Sequence, residues 1–249
     1  EKFDKEFMKN MCEITAVTSG KGGSGKTMAA SNIAAMLAMD GQRVLLIDMN
    51  AGLRNLDICL GIENYVIFDL GDVINGVCAI GKALVRDDRF DSLYLLSASQ
   101  NSEKADISAE HMKKLCSVLA ERFDHIIIDA PGGLGAEWKA SVAPADNAVI
   151  VMTQEYVSVR AADMIDMKLS EMGVKNRCVL VNRVTSECAA TGFFPTIAEI
   201  SDSLRARLIG VVQDDVNIHI AMNKGVPVVC KNDTYIKKNF EKIVEKIFN

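Results

Sequence analysis

The residues best suited to chemistry form one glycine-rich segment that follows the first apolar run of the chain. Positions 20 to 27 read Gly-Lys-Gly-Gly-Ser-Gly-Lys-Thr and satisfy the pattern G-x-x-x-x-G-K-[ST]. In such a loop the backbone N–H groups close around phosphates, and the start of the following helix adds positive potential. Lys26 would reach the outer phosphates, and the Thr27 hydroxyl can ligate Mg²⁺. The predicted nucleotide-binding residues are therefore Gly20, Gly22, Gly23, Ser24, Gly25, Lys26 and Thr27.

A second lysine, Lys21, lies inside the same loop, where a phosphate-binding turn has little structural need of one. One interpretation is a solvated charge on an exposed loop. The other is an additional cation that reaches a γ-phosphate, including that of a neighbouring subunit, as an arginine finger does in trans. The spacing alone leaves both interpretations open.

Two aspartates each follow a short apolar run, at the point where a buried strand would end. Asp48 closes the run at 44–47, and Asp129 closes the run at 125–128 just before a glycine pair, as in a Walker B motif. Carboxylates at that edge of a parallel sheet, beside a phosphate loop, would hold Mg²⁺ or its waters. An aspartate that ends a single strand is also common for turn reasons alone. Taken together, Thr27, Asp48 and Asp129 form the predicted metal ligands.

The elements that must position these residues are read from the apolar periodicity. Short runs rich in Val, Ile and Leu alternate with longer segments of helical period, at 13–17, 44–47, 93–96, 125–128, 148–152, 178–181 and 208–212. This alternation predicts an α/β fold with a doubly wound, mostly parallel sheet and helices on both faces. The phosphate loop after the first strand assigns that fold to the P-loop NTPase type. The helix expected at 27–40 shows an apolar stripe of Ala30, Ile33, Ala34 and Leu37, and Gly41 follows as its cap.

Composition bounds the class of protein. The chain has 249 residues, 49% hydrophobic and 24% charged, which is typical of a globular protein and suits one large α/β domain. Its net charge of −5 argues against a generally basic, nucleic-acid-binding surface. The seven cysteines are scattered without a C-x-x-C spacing, which excludes a zinc or iron-sulfur set and favours a reducing cytoplasm.

The two ends of the sequence carry amphipathic segments. Residues 1–11 are interpreted as an extension of unknown role, and residues 12–249 as the single domain. The segment at 235–249 places apolar residues on one face and lysines with glutamates on the other, a pattern that suits either a core helix or an anionic membrane surface. We expect it to pack on the core.

The loop with its extra Lys21 resembles the deviant Walker A motif of the ParA/MinD family of dimerising ATPases. Further similarities to the MinD branch of that family extend from residue 12 to about residue 248, at 51–57, 97–100, 155–160, 214–216 and 223–228. The resemblance implies an ATPase that uses ATP and Mg²⁺. It also implies that two subunits enclose two ATP molecules, with Lys21 reaching the partner's nucleotide.

Other roles follow from the same resemblance. It implies that Asn182, Arg183, Gln213 and Asp214 lie near adenine, and that Glu155 approaches the ribose of the partner's nucleotide. The ATP-loaded dimer is expected to bind the inner face of the cell membrane as a peripheral protein, through a C-terminal segment absent from this sequence. Regulators like MinC and MinE, and a role in placing the division site, are further implications. Flagellar-number and pilus-localising relatives are the alternative, and a P-loop metabolic enzyme or a DNA-partitioning ATPase is the alternative of another class.

Three positions depart from the family pattern. Asn50 stands where a second acid normally orients the attacking water, and an amide cannot accept a proton from water, so hydrolysis is expected to be slow or blocked. Gln213 stands where proline is usual, next to the expected adenine contacts. Ala161 replaces an acidic residue of the surface that meets MinC and MinE.

Overall fold

The computed structural model describes residues 11–100 and 107–248, and within them eight strands form one sheet in the order β3-β4-β2-β5-β1-β6-β7-β8. Neighbouring strands are parallel except β3 and β4. The strands are β1 (Glu13–Thr18), β2 (Val44–Asp48), β3 (Leu84–Arg86), β4 (Leu93–Leu96), β5 (His125–Asp129), β6 (Asn147–Thr153), β7 (Asn176–Val184) and β8 (Arg207–Gln213). All seven predicted runs are strands. The antiparallel edge strand β3 was not predicted, because three residues carry no readable period.

Both faces of the sheet are covered. Leu46 and Ile127 contribute to a buried cluster on one face, whereas their neighbours Leu45 and Ile126 contribute to a cluster on the other. The covering helices are α1 (Lys26–Met39), α2 (Leu56–Leu60), α3 (Leu70–Ile74), α4 (Ile80–Ala83), α5 (Ala109–Leu119), α6 (Ala136–Val142), α7 (Tyr156–Glu171), α8 (Ser186–Thr191), α9 (Ile197–Ser203), α10 (Val216–Asn223) and α11 (Tyr235–Phe248). The predicted doubly wound α/β architecture is confirmed.

Helix α1 is buried on all sides rather than along one stripe. Besides the expected apolar residues, Ser31 and Asn32 are each only 1% exposed. Asn32 remains satisfied because its amide donates to Met28 O at 2.8 Å and accepts from Val229 N at 3.2 Å. The predicted amphipathic stripe was too narrow, since α11 and the 3₁₀ turn at Val228–Cys230 cover the face that would otherwise meet solvent.

Helix α11 packs on the core, as predicted. Its apolar face of Ile236, Phe240, Ile243, Val244 and Ile247 is buried in the same cluster as α1. The helix approaches the backbone of β8 closely at Gly210, where an added Cβ would lie 2.5 Å from Ile243 Cγ1. None of the helices in the described ranges is both long enough and apolar enough to span a bilayer. The extension predicted at the amino end lies almost wholly outside the described residues.

Candidate functional site

The phosphate loop connects the central strand β1 to α1, and its conformation depends on one glycine. Gly25 has a φ of 97°, a conformation that residues with a Cβ rarely adopt. A Cβ there would also lie 2.2 Å from Nδ2 of Asn182, which donates a hydrogen bond to Ser24 O at 2.8 Å. Asn182 at the end region of β7 is thus docked directly on the loop. Gly25 is required both for its backbone and for the close approach.

Lys26, the second lysine of the loop, is held inside the fold. Its side chain is buried and donates a hydrogen bond from Nζ to Ser19 Oγ at 3.0 Å. Burial lowers its pKa, and the nearby Asp129 carboxylate partly opposes that effect. The ammonium is therefore preorganised at the head of α1, where an oxyanion would gain most from it.

Asp48 organises the loop that follows β2. Its Oδ1 accepts from Asn50 N at 2.8 Å, and its Oδ2 accepts from the amides of Asn55 and Leu56 at 3.1 Å each. Burial raises its pKa although these hydrogen bonds favour the ionised form. The structure thereby gives Asp48 a task that the sequence did not reveal, because it fixes the start of α2.

Asp129 lies beside Asp48, and the two aspartates are register partners on neighbouring parallel strands. Thr27 Oγ1 donates to Asp129 Oδ2 at 2.7 Å. The Asn50 amide donates at 3.1 Å to Asp48 Oδ1 and at 3.1 Å to Asp129 Oδ2, so it bridges both carboxylates. Thr27, Asp48, Asn50 and Asp129 are therefore brought together in one cluster behind the phosphate loop.

The cluster fits a divalent cation that arrives with phosphates. Burial, with the adjacent Asp48 charge, raises the pKa of Asp129 to about 7, and its Oδ1 is buried with no hydrogen-bond partner among the described residues. Across residues 11–100 and 107–248 no group of three or more His, Cys, Asp or Glu could hold a metal alone. Mg²⁺ typically binds one or two carboxylates together with substrate phosphates and waters. Two carboxylates and a threonine hydroxyl match that requirement.

A cleft of about 540 Å³ opens in front of the loop. Lys26, Thr27, Asn50 and Gly132 line its phosphate end, and four predicted nucleotide residues line it further along, namely Asn182, Arg183, Gln213 and Asp214. Asp214 is oriented by its backbone, which donates to Val184 O at 3.0 Å, and its carboxylate lies 3.1 Å from His219 Nε2. The adenine-site prediction thus concerns residues that share one cavity with the loop.

The cleft also has an apolar wall that sequence reasoning missed. Helices α2 and α10 supply it, with Leu53 beside them, through Ile58, Cys59, Ile218 and Met222. A base is flat and largely apolar, so such walls suit it. No sequence signal marks these residues, because an apolar residue on a short helix is normally read as core.

Lys21 does not line this cleft. Its Nζ pairs with Glu155 Oε2 at 2.6 Å, and both residues border an adjacent pocket of about 320 Å³. Gly20 precedes it and touches α7 so closely that a Cβ would lie 2.6 Å from Ala161 Cβ. The predicted site residues therefore fall into two groups, one around the cleft and one beside it.

Comparison with known proteins agrees with this geometry. Residues 12–177 match the AAA domain family. The septum site-determining protein MinD of Synechocystis is 43% identical over 219 residues, which are 88% of this chain and 82% of that protein. The MinC:MinD cell division protein complex of Aquifex aeolicus contains a chain with a TM-score of 0.84 and 35% identity, covering 95% of this chain and 96% of its own. MinD of Pyrococcus horikoshii, complexed with Mg-ADP, has a TM-score of 0.86 and 25% identity, covering 95% of this chain and 96% of its own.

A parallel sheet whose central strand leads through a phosphate loop into a buried helix, with carboxylates behind the loop, defines a P-loop ATPase that uses ATP and Mg²⁺. Similarity across most of the sequence narrows that class. The chain belongs to the MinD family of septum site-determining ATPases.

Proposed function

We propose that this chain is an ATP-dependent dimerising switch that contributes to placement of the cell-division site. The observation that supports the proposal is that the two lysines of the phosphate loop lie in different environments, one inside the cleft and one outside it. Lys26 is buried at the head of the cleft, whereas Lys21 is about half exposed and lies outside it. A lysine outside its own cleft is available to the nucleotide of a second subunit.

In this proposal the cleft holds one Mg·ATP. The loop from Gly20 to Thr27 surrounds the phosphates with its backbone amides. The Thr27 hydroxyl, Asp129 and Asp48 hold Mg²⁺ directly or through its waters, and Asp48 also maintains the loop. Asn182, Arg183, Gln213 and Asp214 take the adenosine end. Glu155, once released from Lys21, approaches the partner's ribose.

Hydrolysis is proposed to be slow because Asn50 replaces the acid that handles water. Its amide is committed to two carboxylates as a donor, at 3.1 Å each. A side chain that donates to carboxylates and accepts no proton cannot act as a general base. The ATP-bound form is therefore expected to persist.

A MinC-like protein is the proposed partner, because the structurally similar Aquifex MinD chain is found in a MinC:MinD complex. A MinE-like activator and a membrane segment that follows α11 complete the proposed cycle at the inner membrane face. Near Ala161 the surface lacks the family's acid, so affinity for such regulators is expected to differ from that of relatives.

Light scattering in Mg·ATP and in Mg·ADP tests the switch. The expected mass is that of a dimer in ATP and a monomer in ADP, because only ATP offers a γ-phosphate to the partner's Lys21. If the protein, at about 50 μM and with ATP present, still had the mass of a monomer, the proposal would be contradicted.

A further inference from the structure

Arg89 joins the two helices that form the apolar walls of the cleft, although it does not line the cleft itself. Its Nη2 donates to Leu60 O at 2.5 Å, at the end of α2, and its Nη1 donates to Gly225 O at 2.7 Å, just after α10. Ile58 in α2 and Met222 in α10 line the cleft only two and three residues earlier. One guanidinium therefore connects both walls.

The guanidinium is itself anchored to the sheet. Asp87 accepts from Arg89 Nε at 2.8 Å and from Nη2 at 2.5 Å. Asp87 is buried in the connection from β3 to β4, where its own amide donates to Leu93 O at 3.0 Å. Because the guanidinium of an arginine is planar and here donates to four oxygens of three residues, its geometry is fixed.

The two walls also meet backbone to backbone. Gly225 has a φ of 65°, and a Cβ on it would lie 2.5 Å from Gly61 Cα. Gly61 follows α2 directly with a φ of 64°. The separation of α2 and α10 is therefore set by a contact that only glycine permits and by the arginine that spans it.

We propose that Arg89 is a positioning residue that sets the width of the apolar end of the cleft and thereby the affinity for the nucleotide base. This inference rests on the proposed ATP site. Dispersion contacts to a flat ring decay when a wall retreats by about 1 Å, so base affinity depends on the width. Phosphate affinity comes from the loop and does not depend on it.

Calorimetric titration of full-length protein with Mg·ATP, Mg·GTP and magnesium tripolyphosphate tests the proposal. Arg89→Met is expected to weaken ATP binding about tenfold, equivalent to ~1.4 kcal/mol, and to weaken GTP binding by a similar factor, because both bases are flat purines. Tripolyphosphate affinity should stay within about twofold. Arg89→Lys should restore little, because an ammonium cannot span two carbonyls and a carboxylate. Arg86→Met is the matched control, since Arg86 lies in the same segment and pairs with exposed Asp88 at 3.1 Å.

A second pair of variants changes the width without substituting the arginine, although Gly225 also supplies one of its acceptors. Gly225→Ala places a methyl group against Gly61 and should widen the cleft, whereas Gly76→Ala has a similar φ of 71° and no neighbour within 4 Å among the described residues. Only Gly225→Ala should weaken ATP binding relative to tripolyphosphate binding. Equal loss of ATP and tripolyphosphate affinity, or unchanged ATP affinity in Arg89→Met, would overturn the inference. A parent chain that binds no ATP would instead refute the proposed function.

Discussion

Lys21 and Glu155 form an ion pair within one chain, with 2.6 Å between Nζ and Oε2. Both side chains are assigned to the partner's nucleotide in the proposed dimer, so the pair must open before the dimer forms. The side chains are 47% and 43% exposed, and ion pairs at such sites contribute about 0 to 1 kcal/mol. The ion pair with Glu155 therefore restrains Lys21 only weakly.

Substitution of the two loop lysines should produce separable defects. Lys21→Ala is expected to keep ATP binding largely intact and to abolish the ATP-dependent dimer, because Lys21 lies outside the cleft. Lys26→Ala is expected to lose the nucleotide itself, because its ammonium is buried at the phosphate end. Fluorescent-ATP titration and light scattering measure the two properties. Equal loss of affinity in both variants would contradict the assignment.

Asn50→Asp should restore hydrolysis. A water-handling carboxylate typically contributes about 10²- to 10⁴-fold, so steady-state phosphate release at saturating ATP should rise by about that range if chemistry limits turnover. The new charge would lie where the amide now contacts Asp48 and Asp129 at 3.1 Å, and a cation relieves the repulsion among the carboxylates, so the variant should also bind Mg²⁺ more tightly. ATP affinity at saturating Mg²⁺ should barely change. Equal rates for both forms would show that position 50 does not limit turnover.

Gly25→Ala should abolish nucleotide binding rather than merely destabilise the fold. The added methyl group would collide with the Asn182 amide, which must then leave Ser24 O and shift the loop. Gly41→Ala is the control, because its φ of 79° carries similar strain with open space around it. Calorimetry should show no ATP binding for the first variant and parental affinity for the second. Retained binding in Gly25→Ala would mean that the loop adapts.

Phe240→Ala should test whether α11 is a core helix. Truncation of a fully buried phenylalanine typically costs about 3 to 5 kcal/mol in the free energy of unfolding. Lys242→Ala, on the exposed face of the same helix, should change it by less than about 0.5 kcal/mol. Urea denaturation of both variants measures this. A small effect of Phe240→Ala would argue that α11 detaches readily from the core.

The sequence revealed those parts of the site that are local. Residues 20–27 carry their chemistry in their own spacing, and the runs that end in Asp48 and Asp129 identify buried strands because both faces of the sheet are covered. Contacts between distant segments could not be read in the same way. The guanidinium of Arg89 donates hydrogen bonds to Leu60 O and Gly225 O, and the local sequence around these residues does not indicate either contact.

Asp48 shows how closely architecture and chemistry are joined in this protein. The Asp48 carboxylate, next to the proposed cation, also accepts hydrogen bonds from the amides of residues 55 and 56. These residues begin the helix that contains Ile58, which lines the cleft. Removing that carboxylate would therefore shift the wall of the cleft that contains Ile58. A turnover defect in Asp48→Ala would report lost geometry as much as a lost ligand, whereas Asp48→Asn, which keeps one acceptor, would separate the two.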